Sequence, residues 1–236
     1  MIKQNIPFYL QEKLKDFTIE SLSDLMQYDY LKVFAWLRDI YPSSSYKVLY
    51  DLYCIVSNLP LNSLDIAREK HLRQLYKKIL PCYAPLKTTS IKRYLDLAYE
   101  QSELAGKQNE IPVGVVIVKD EKVIGCGYNF SKTTNLPGMH AEICAITNAS
   151  RYLNSAYLSG CDLYVTIEPC LMCSGAIINS RIKRVIFGAL ESKTGAVVSQ
   201  YQVFDNKAVN HHTQVYGPID SVKYSKALRN FLQSKR

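Results

Sequence analysis

Two short stretches decide the fold of this chain: residues 139–142, which read MHAE, and residues 168–173, which read EPCLMC. They supply an imidazole from His140 and two thiols from Cys170 and Cys173, 30 and 33 positions further on. Three protein ligands leave one coordination position of Zn²⁺ open, which is typical of a catalytic zinc. The carboxylate of Glu142 is not needed as a ligand and is a candidate proton shuttle.

Two other interpretations of these residues are a structural zinc knuckle and a site without metal. A structural zinc usually has four protein ligands, and the other histidines, His71, His211 and His212, lie outside the motif. The spacing therefore favours a catalytic zinc.

Each half of the motif is predicted to begin a helix. Helix N-termini carry a partial positive charge, which favours thiolate over thiol at Cys170 and Cys173. A zinc bound by two thiolates and a neutral imidazole has almost no net charge, so it acidifies water less than a three-histidine zinc does. A base beside that water is then important, and Glu142 fits this role.

The composition describes a basic globular protein of 236 residues with a formal net charge of +8. A basic balance suits a polyanionic partner. The first residues lack the apolar segment of a signal peptide, and no apolar run reaches the roughly 18 residues of a membrane span. Seven cysteines, an odd number without a disulfide-framework spacing, indicate metal binding in a reducing cytosol. We therefore expect a cytoplasmic protein with no membrane contact.

Glycine usage divides the chain into two predicted domains. All 10 glycines lie at or after Gly106, and a glycine-free stretch is typical of helices with few tight turns. Residues 80–89 contain two prolines and interrupt the periodic pattern. We predict a small all-α accessory domain over residues 1–85 and a second domain over residues 86–236 that contains the zinc motif. Apolar spacing predicts the helices of the first domain at residues 18–25, 30–38, 45–57 and 62–79, with Ile66, Leu72, Leu75 and Ile79 facing inward.

The second domain alternates between helices and strands, which predicts an α/β mixed sheet with helices on its faces. Asp120 and Glu121 are expected to form the turn of a hairpin. Helices are predicted at residues 91–104, 140–153, 170–180 and 221–234, and strands at residues 113–118, 122–128, 162–166 and 184–188.

From about residue 91 onward the sequence resembles the bacterial tRNA-specific adenosine deaminases. The resemblance lies in IPVGVV (111–116), TIEPCLMCSGA (166–176), SRIKRVIFGA (180–189), KTGA (193–196) and NH (210–211). It implies a cytidine-deaminase-like, five-stranded mixed sheet with helices on both faces. It also implies a homodimer with one Zn²⁺ per subunit. The implied reaction is hydrolytic deamination of adenosine to inosine at wobble position 34 in the anticodon stem-loop of tRNA-Arg(ACG).

The resemblance also implies roles for individual residues. His140, Cys170 and Cys173 would hold zinc, and Glu142 would shuttle the proton. Asn129 would contact the flipped adenosine, and the Ala141 N–H would lie near the reacting centre. The remaining implied RNA contacts are Glu191, Lys193, Ser199, Asn210 and His211.

The predicted last helix adds a basic stripe that suits phosphate contact. Its members are Lys223, Lys226, Arg229, Lys235 and Arg236. Three positions depart from the resemblance: Met139, Glu191 and Val198 replace the residues usual there. These departures concern RNA recognition and leave the zinc chemistry unchanged.

Residues 7–80 resemble the C-terminal domain of the TfoX/Sxy competence regulators. The similar segments are residues 17–25, 33–37 and 48–52. The stretch 7–14, which matches a glycine loop in that family, has no glycine. We interpret this region as an accessory helical module whose partner, a protein or the tRNA body, is unknown.

Two further functions compete with tRNA deamination. A free-base or nucleotide deaminase of the same fold is one, and the KTGA segment and basic last helix argue against it. A nucleic-acid-binding regulator with a vestigial zinc domain is the other. Glu142 argues against that function, because a structural site has no need of it.

Overall fold

The computed structural model describes residues 6–234. The chain divides into two compact units, with the division between Leu86 and Lys87. Each unit has its own hydrophobic core.

The N-terminal unit is entirely helical over its described residues. Fully buried leucines from several helices, among them Leu10, Leu37, Leu49 and Leu72, meet in one core. Its helices are α1 (Phe8–Leu14), α2 (Leu22–Leu25), α3 (Tyr30–Ile40), α4 (Tyr46–Val56) and α5 (Ile66–Lys78), with a 3₁₀ turn at Lys15–Phe17.

Helix α2 begins later than the sequence pattern predicted. Thr18 has a left-handed backbone with φ of 59°, so it ends the preceding 3₁₀ turn and does not start a helix. Ser21 is the true N-cap: its hydroxyl accepts from the Asp24 N–H, and the Asp24 carboxylate accepts from the Ser21 N–H. This reciprocal capping box satisfies two backbone donors that would otherwise lack partners. Helix α1 was not predicted as a helix.

The inward position predicted for Ile66 is wrong. Ile66 is 85% exposed, whereas Leu72 is 1% exposed. At about 100° per residue, Ile66 points roughly 120° away from Leu72 and on the opposite side from Leu75.

The C-terminal unit is a five-stranded mixed sheet in the order β2-β1-β3-β4-β5, which confirms the predicted fold class. Strand β1 pairs antiparallel with β2 and β3, and the remaining pairs are parallel. The strands are β1 (Gly114–Lys119), β2 (Lys122–Tyr128), β3 (Asp162–Ile167), β4 (Arg184–Ala189) and β5 (Gln214–Tyr216). The helices are α6 (Thr88–Lys107), α7 (Ser131–Thr134), α8 (Ala141–Leu153), α9 (Leu171–Asn179), α10 (Ser221–Tyr224) and α11 (Lys226–Gln233).

Helices cover both faces of this sheet. On one face, Val115 and Leu163 share a core with Ala145 of α8 and Ile177 of α9. On the other, Tyr164 packs against Tyr94 of α6, with ring centroids 5.1 Å apart. The three central strands, β1, β3 and β4, are therefore buried on both sides, which explains their nearly continuous apolar sequence.

The hairpin predicted at Asp120 and Glu121 is confirmed, and both residues have the positive φ that a tight hairpin turn needs. Strand β5 was not located by the sequence pattern because its three residues are too few to show a period.

The single last helix predicted for residues 221–234 is wrong: it is broken at Ser225 into α10 and α11. Lys235 and Arg236, which were assigned to its basic stripe, lie outside the described residues.

Candidate metal centre

The site is formed by two helix N-termini on the same side of the sheet. His140 is the N-cap residue of α8, and Cys170 is the N-cap residue of α9. Cys173 lies in the first turn of α9 and is fully buried. The positive ends of two helix dipoles are thus close to the thiols, as the sequence predicted.

The three predicted ligands meet in a geometry that fits zinc. The Nδ1 atom of His140 lies 3.6 Å from the Cys170 sulfur and 3.5 Å from the Cys173 sulfur. A tetrahedral zinc, with Zn–N of about 2.1 Å and Zn–S of about 2.3 Å, would hold nitrogen and sulfur about 3.6 Å apart. All three ligand atoms lie within 4.8 Å of one another. The chain therefore presents a preformed zinc site with His140 binding through Nδ1.

The pKa values of the two thiols are shifted in opposite directions. A hydrogen bond from Cys173, with a further one from His140, lowers the pKa of Cys170 to about 4. The same bond to Cys170, together with burial, raises the pKa of Cys173. The ligand set thus holds a thiolate at Cys170 before metal binds, and binding releases the Cys173 proton.

Glu142 occupies the first turn of α8 and is only 4% exposed. Burial raises the pKa of its carboxyl group, and the nearby Cys170 thiolate raises it further. The residue lines the same cavity as His140 and Cys170. It is therefore a buried carboxyl group with a raised pKa beside the predicted ligands.

Asn129 connects the site to the strand before it. Its Oδ1 accepts from the Ala141 N–H at 2.9 Å, and its Nδ2 donates to the Ile111 carbonyl at 2.9 Å. Asn129 is therefore held in one orientation at the start of α8, and the Ala141 N–H is already occupied by this bond.

A cavity of about 540 Å³ opens above the ligands. This volume is in the range of small-molecule binding sites. Apolar residues form part of its wall, including Ile111, Val113, Ile167, Leu228 and Leu232, the last two from α11. Its polar residues are Glu110, Asn129, Ser131, Lys132, His140, Glu142, Glu168, Cys170, Glu191, Lys193 and Thr194.

Glu168, whose role the sequence did not reveal, ties the loop 191–199 to the metal site. Its Oε1 accepts from the N–H groups of Val197, Val198 and Ser199, and its Oε2 from the Glu191 N–H and the Ser199 hydroxyl. Burial alone would raise the pKa of this carboxyl group, but these donors hold it below its usual value. Gly195 makes the close approach possible, because a Cβ there would lie 2.4 Å from the Glu168 carboxylate.

Glu110 is a second buried carboxylate that was not predicted. It accepts from the N–H groups of Lys132 and Thr133 and from the Thr133 hydroxyl, and so holds α7 at the cavity wall. The only sequence signal for such residues is an acidic side chain near the motif, which is too common to be specific.

The predicted RNA-contact residues fall into two groups. Asn129, Glu191 and Lys193 line the cavity. The others do not line it: Ser199 donates to Glu168, His211 bonds to the Ile182 carbonyl at 2.8 Å, and Asn210, Lys226 and Arg229 are exposed. Instead, α11 contributes Leu228 and Leu232 to the cavity.

Among the described residues, no helix combines the length and apolar character needed to cross a membrane. The seven cysteines are all free.

Residues 88–189 match the family model of the cytidine and deoxycytidylate deaminase zinc-binding region. The tRNA-specific adenosine deaminase of Aquifex aeolicus is 41% identical over 143 residues, which cover 58% of this chain and 95% of that protein. The enzyme of the same name from Haemophilus influenzae is 40% identical over 146 residues, covering 61% of this chain and 84% of that protein.

A solved structure supports the same relationship. It comes from biochemical and structural studies of A-to-I editing by tRNA:A34 deaminases at the wobble position of transfer RNA. It is 39% identical, with a TM-score of 0.52, and the match covers 53% of this chain and 96% of that one. Its fold is therefore similar to that of this chain over the matched part. The chain therefore belongs to the family of the tRNA-specific adenosine deaminases, and its C-terminal unit is a zinc-dependent deaminase domain.

Proposed function

We propose that this protein hydrolyses adenosine to inosine at wobble position 34 of tRNA-Arg(ACG). The observation that carries the proposal is the placement of Glu142 in one cavity with the zinc ligands. The family relationship supports RNA adenosine as the substrate class. The reaction would take place in the cytoplasm, on the anticodon stem-loop.

The chemistry needs a nucleophile, a proton carrier and a bound base. A zinc ion held by His140, Cys170 and Cys173 would supply a polarised water as the nucleophile. Glu142 would accept one proton from the attacking water and pass it to a purine ring nitrogen. It would then take the second proton from the new hydroxyl group on C6 and deliver it to the amino group, which leaves as ammonia. Its burial keeps bulk water from competing for that proton.

Asn129 is placed to orient the base. Its Oδ1 and one Nδ2 hydrogen are used by Ala141 and Ile111. The amide nitrogen carries a second hydrogen, which can donate to the flipped adenosine. The apolar wall of Ile111, Val113 and Ile167 can pack against the base, as expected for a base-flipping enzyme.

The phosphates and neighbouring bases would be held at the cavity rim. Lys193 and Glu191 lie there, and the loop 191–199 is fixed beneath them by Glu168. Exposed Lys226 and Arg229 are available for phosphates. The proposal includes a homodimer, which light scattering of the purified protein would detect.

The test uses zinc-loaded protein and an unmodified tRNA-Arg(ACG) transcript. Inosine should appear at position 34 and nowhere else, measured by sequencing the reverse transcript, in which inosine reads as guanosine. The same protein is incubated with free cytidine, guanine and adenosine. Ammonia from these alone would favour the free-base alternative, and tRNA binding without turnover would favour a non-enzymatic regulator.

A further inference from the structure

Helix α5 holds the positive charge of the N-terminal unit. It carries five basic residues and one acidic residue, Glu69. Outside this helix, residues 1–86 contain 6 basic and 8 acidic residues. Helix α5 therefore has a charge of +4, whereas the rest of the unit has a charge of −2. The small net charge of the unit hides this uneven distribution.

Three of these five basic residues share one face with the exposed isoleucine described above. Ile66, Lys70, Arg73 and Lys77 are spaced i, i+4, i+7 and i+11, so at about 100° per residue they fall within roughly 60° of one another. All four are exposed. We call these four residues the α5 stripe. Lys78 is exposed beside it.

The stripe is largely uncompensated. Arg73 is 3.6 Å from Glu69 and lies over the rings of Tyr46 and Tyr50. Lys70, Lys77 and Lys78 pair with no carboxylate in residues 6–234. Like charges four residues apart on a helix, such as Arg73 and Lys77, destabilise it. An anionic partner would relieve that repulsion.

The opposite face of α5 shows which kind of anionic partner fits. Leu72 is 1% exposed and lies in the core of the unit, together with partly buried Leu75, Tyr76 and Ile79. A helix that inserts into a membrane surface needs its apolar face free for the lipid. Here that face is already used, and only the cationic face is available. Such a face suits the phosphate backbone of a nucleic acid.

We propose that the α5 stripe binds the phosphate backbone of the tRNA substrate at a site separate from the base held in the deaminase cavity. The proposal rests on the proposed function for the identity of the nucleic acid. Lys70 and Lys77 make phosphate contacts, Arg73 is held in place by its two tyrosines, and Ile66 packs against sugar or an exposed base. The N-terminal unit thereby adds affinity for the whole tRNA without touching the chemistry.

The test compares two triple variants of the full-length, zinc-loaded protein. K70Q/K77Q/K78Q removes three exposed, unpaired charges of α5. K13Q/K15Q/K32Q removes three charges from elsewhere in the same unit and serves as the matched control. Both are assayed for binding and for inosine formation on the full tRNA and on its isolated anticodon stem-loop. Binding of both variants and of the wild type to anionic vesicles of phosphatidylcholine and phosphatidylserine is measured as well.

For the α5 variant we expect about a tenfold rise in the Kd and KM for the full tRNA near 0.15 M salt, and a salt-dependence slope smaller by about 2–3. Its kcat, and its KM for the stem-loop, should equal those of the control.

Equal tRNA affinity in the two variants would overturn the proposal, and so would an equal loss of affinity for the stem-loop. The proposal would also be overturned if the α5 variant lost the binding to anionic vesicles that the wild type shows while its tRNA affinity stayed intact. Helix α5 would then be a membrane contact. If the wild-type protein makes no inosine, the proposed function fails, while the Kd comparison still decides the role of α5.

Discussion

At the scale of single residues, the site depends on carboxylates with different duties. Glu142 is buried beside the ligands, and burial raises the pKa of its carboxyl group despite hydrogen bonds from its own N–H and from Cys173. Glu168 accepts five hydrogen bonds and cannot exchange a proton without losing them. A glutamate therefore suits the proposed proton transfer at one position and anchors a loop at the other, because the surrounding donors differ.

Glu142→Gln should retain zinc and lose turnover. The amide cannot carry the proton, and general acid–base groups contribute about 10²–10⁴-fold to rate. Zinc content by atomic absorption and single-turnover inosine formation measure the two effects separately. Glu103→Gln, at an exposed position of α6, should retain both. A zinc-loaded Glu142→Gln protein with near-normal rates would remove Glu142 from the mechanism.

Glu168→Gln should destabilise the deaminase unit by about 2 kcal/mol, because the amide presents a donor to backbone N–H groups that need an acceptor. For a unit of this size the Tm should fall by roughly 5 °C. The loosened loop 191–199 should also raise KM for tRNA. Glu100→Gln, exposed on α6, is the control in the same thermal scans, and an equal Tm for both variants would contradict the anchoring role.

At the scale of elements, the position of the site depends on how closely α8 packs on β2. A Cβ at Gly127 would lie 2.4 Å from both the Ala141 carbonyl oxygen and the Ala145 nitrogen. Both contacts are backbone atoms of α8, so a side chain there can be accommodated only by moving the helix. The start of that helix carries His140 and Glu142.

Gly127→Ala should therefore cost about 1–3 kcal/mol through overpacking and should also lower zinc affinity and kcat. Gly175→Ala is the contrasting variant, because a Cβ there meets no atom within 4 Å. In the middle of α9 it should be neutral, or stabilising by about 0.5–1 kcal/mol. Denaturant unfolding and zinc titration of both variants check this difference.

At the scale of the whole molecule, the deaminase unit should be acid-labile. Asp96, Glu110 and Glu168 all have a lowered pKa: burial opposes the shift, and donors from Lys223, Thr133 and Ser199, respectively, outweigh it. A carboxyl group with a lower pKa in the folded state stabilises that state above its unfolded pKa, near 4.5 for glutamate. The stabilisation is lost as pH falls through the folded value.

The difference in unfolding free energy between wild type and Glu168→Gln should thus be constant above about pH 5.5 and should shrink as the pH falls below about 4.5. Urea unfolding of the two proteins at several pH values measures it, and using the difference cancels effects common to both, such as loss of zinc. A difference that stays constant down to pH 3 would show that the pKa of Glu168 is the same in the folded and unfolded states, and a difference that grows as the pH falls would show that folding raises this pKa.

The zinc site was predictable because its parts are local. His140 and Glu142 share the start of one helix, Cys170 and Cys173 share another, and both helix starts are marked in the sequence. The sheet was predictable because its strands are apolar runs next to clear turns. Short elements such as α7 and β5 lack enough residues to show a period.

Short motifs and apolar runs in the sequence were enough to predict the zinc ligands and the class of fold, and they made Glu142 the candidate proton carrier. Three features became visible only in the folded protein: Glu168 anchors loop 191–199, Leu228 and Leu232 line the cavity, and Ile66 is exposed beside the cations of α5. These facts depend on contacts between distant segments or on which face of a helix the core covers. Such contacts arise from packing, and spacing along the sequence does not encode them.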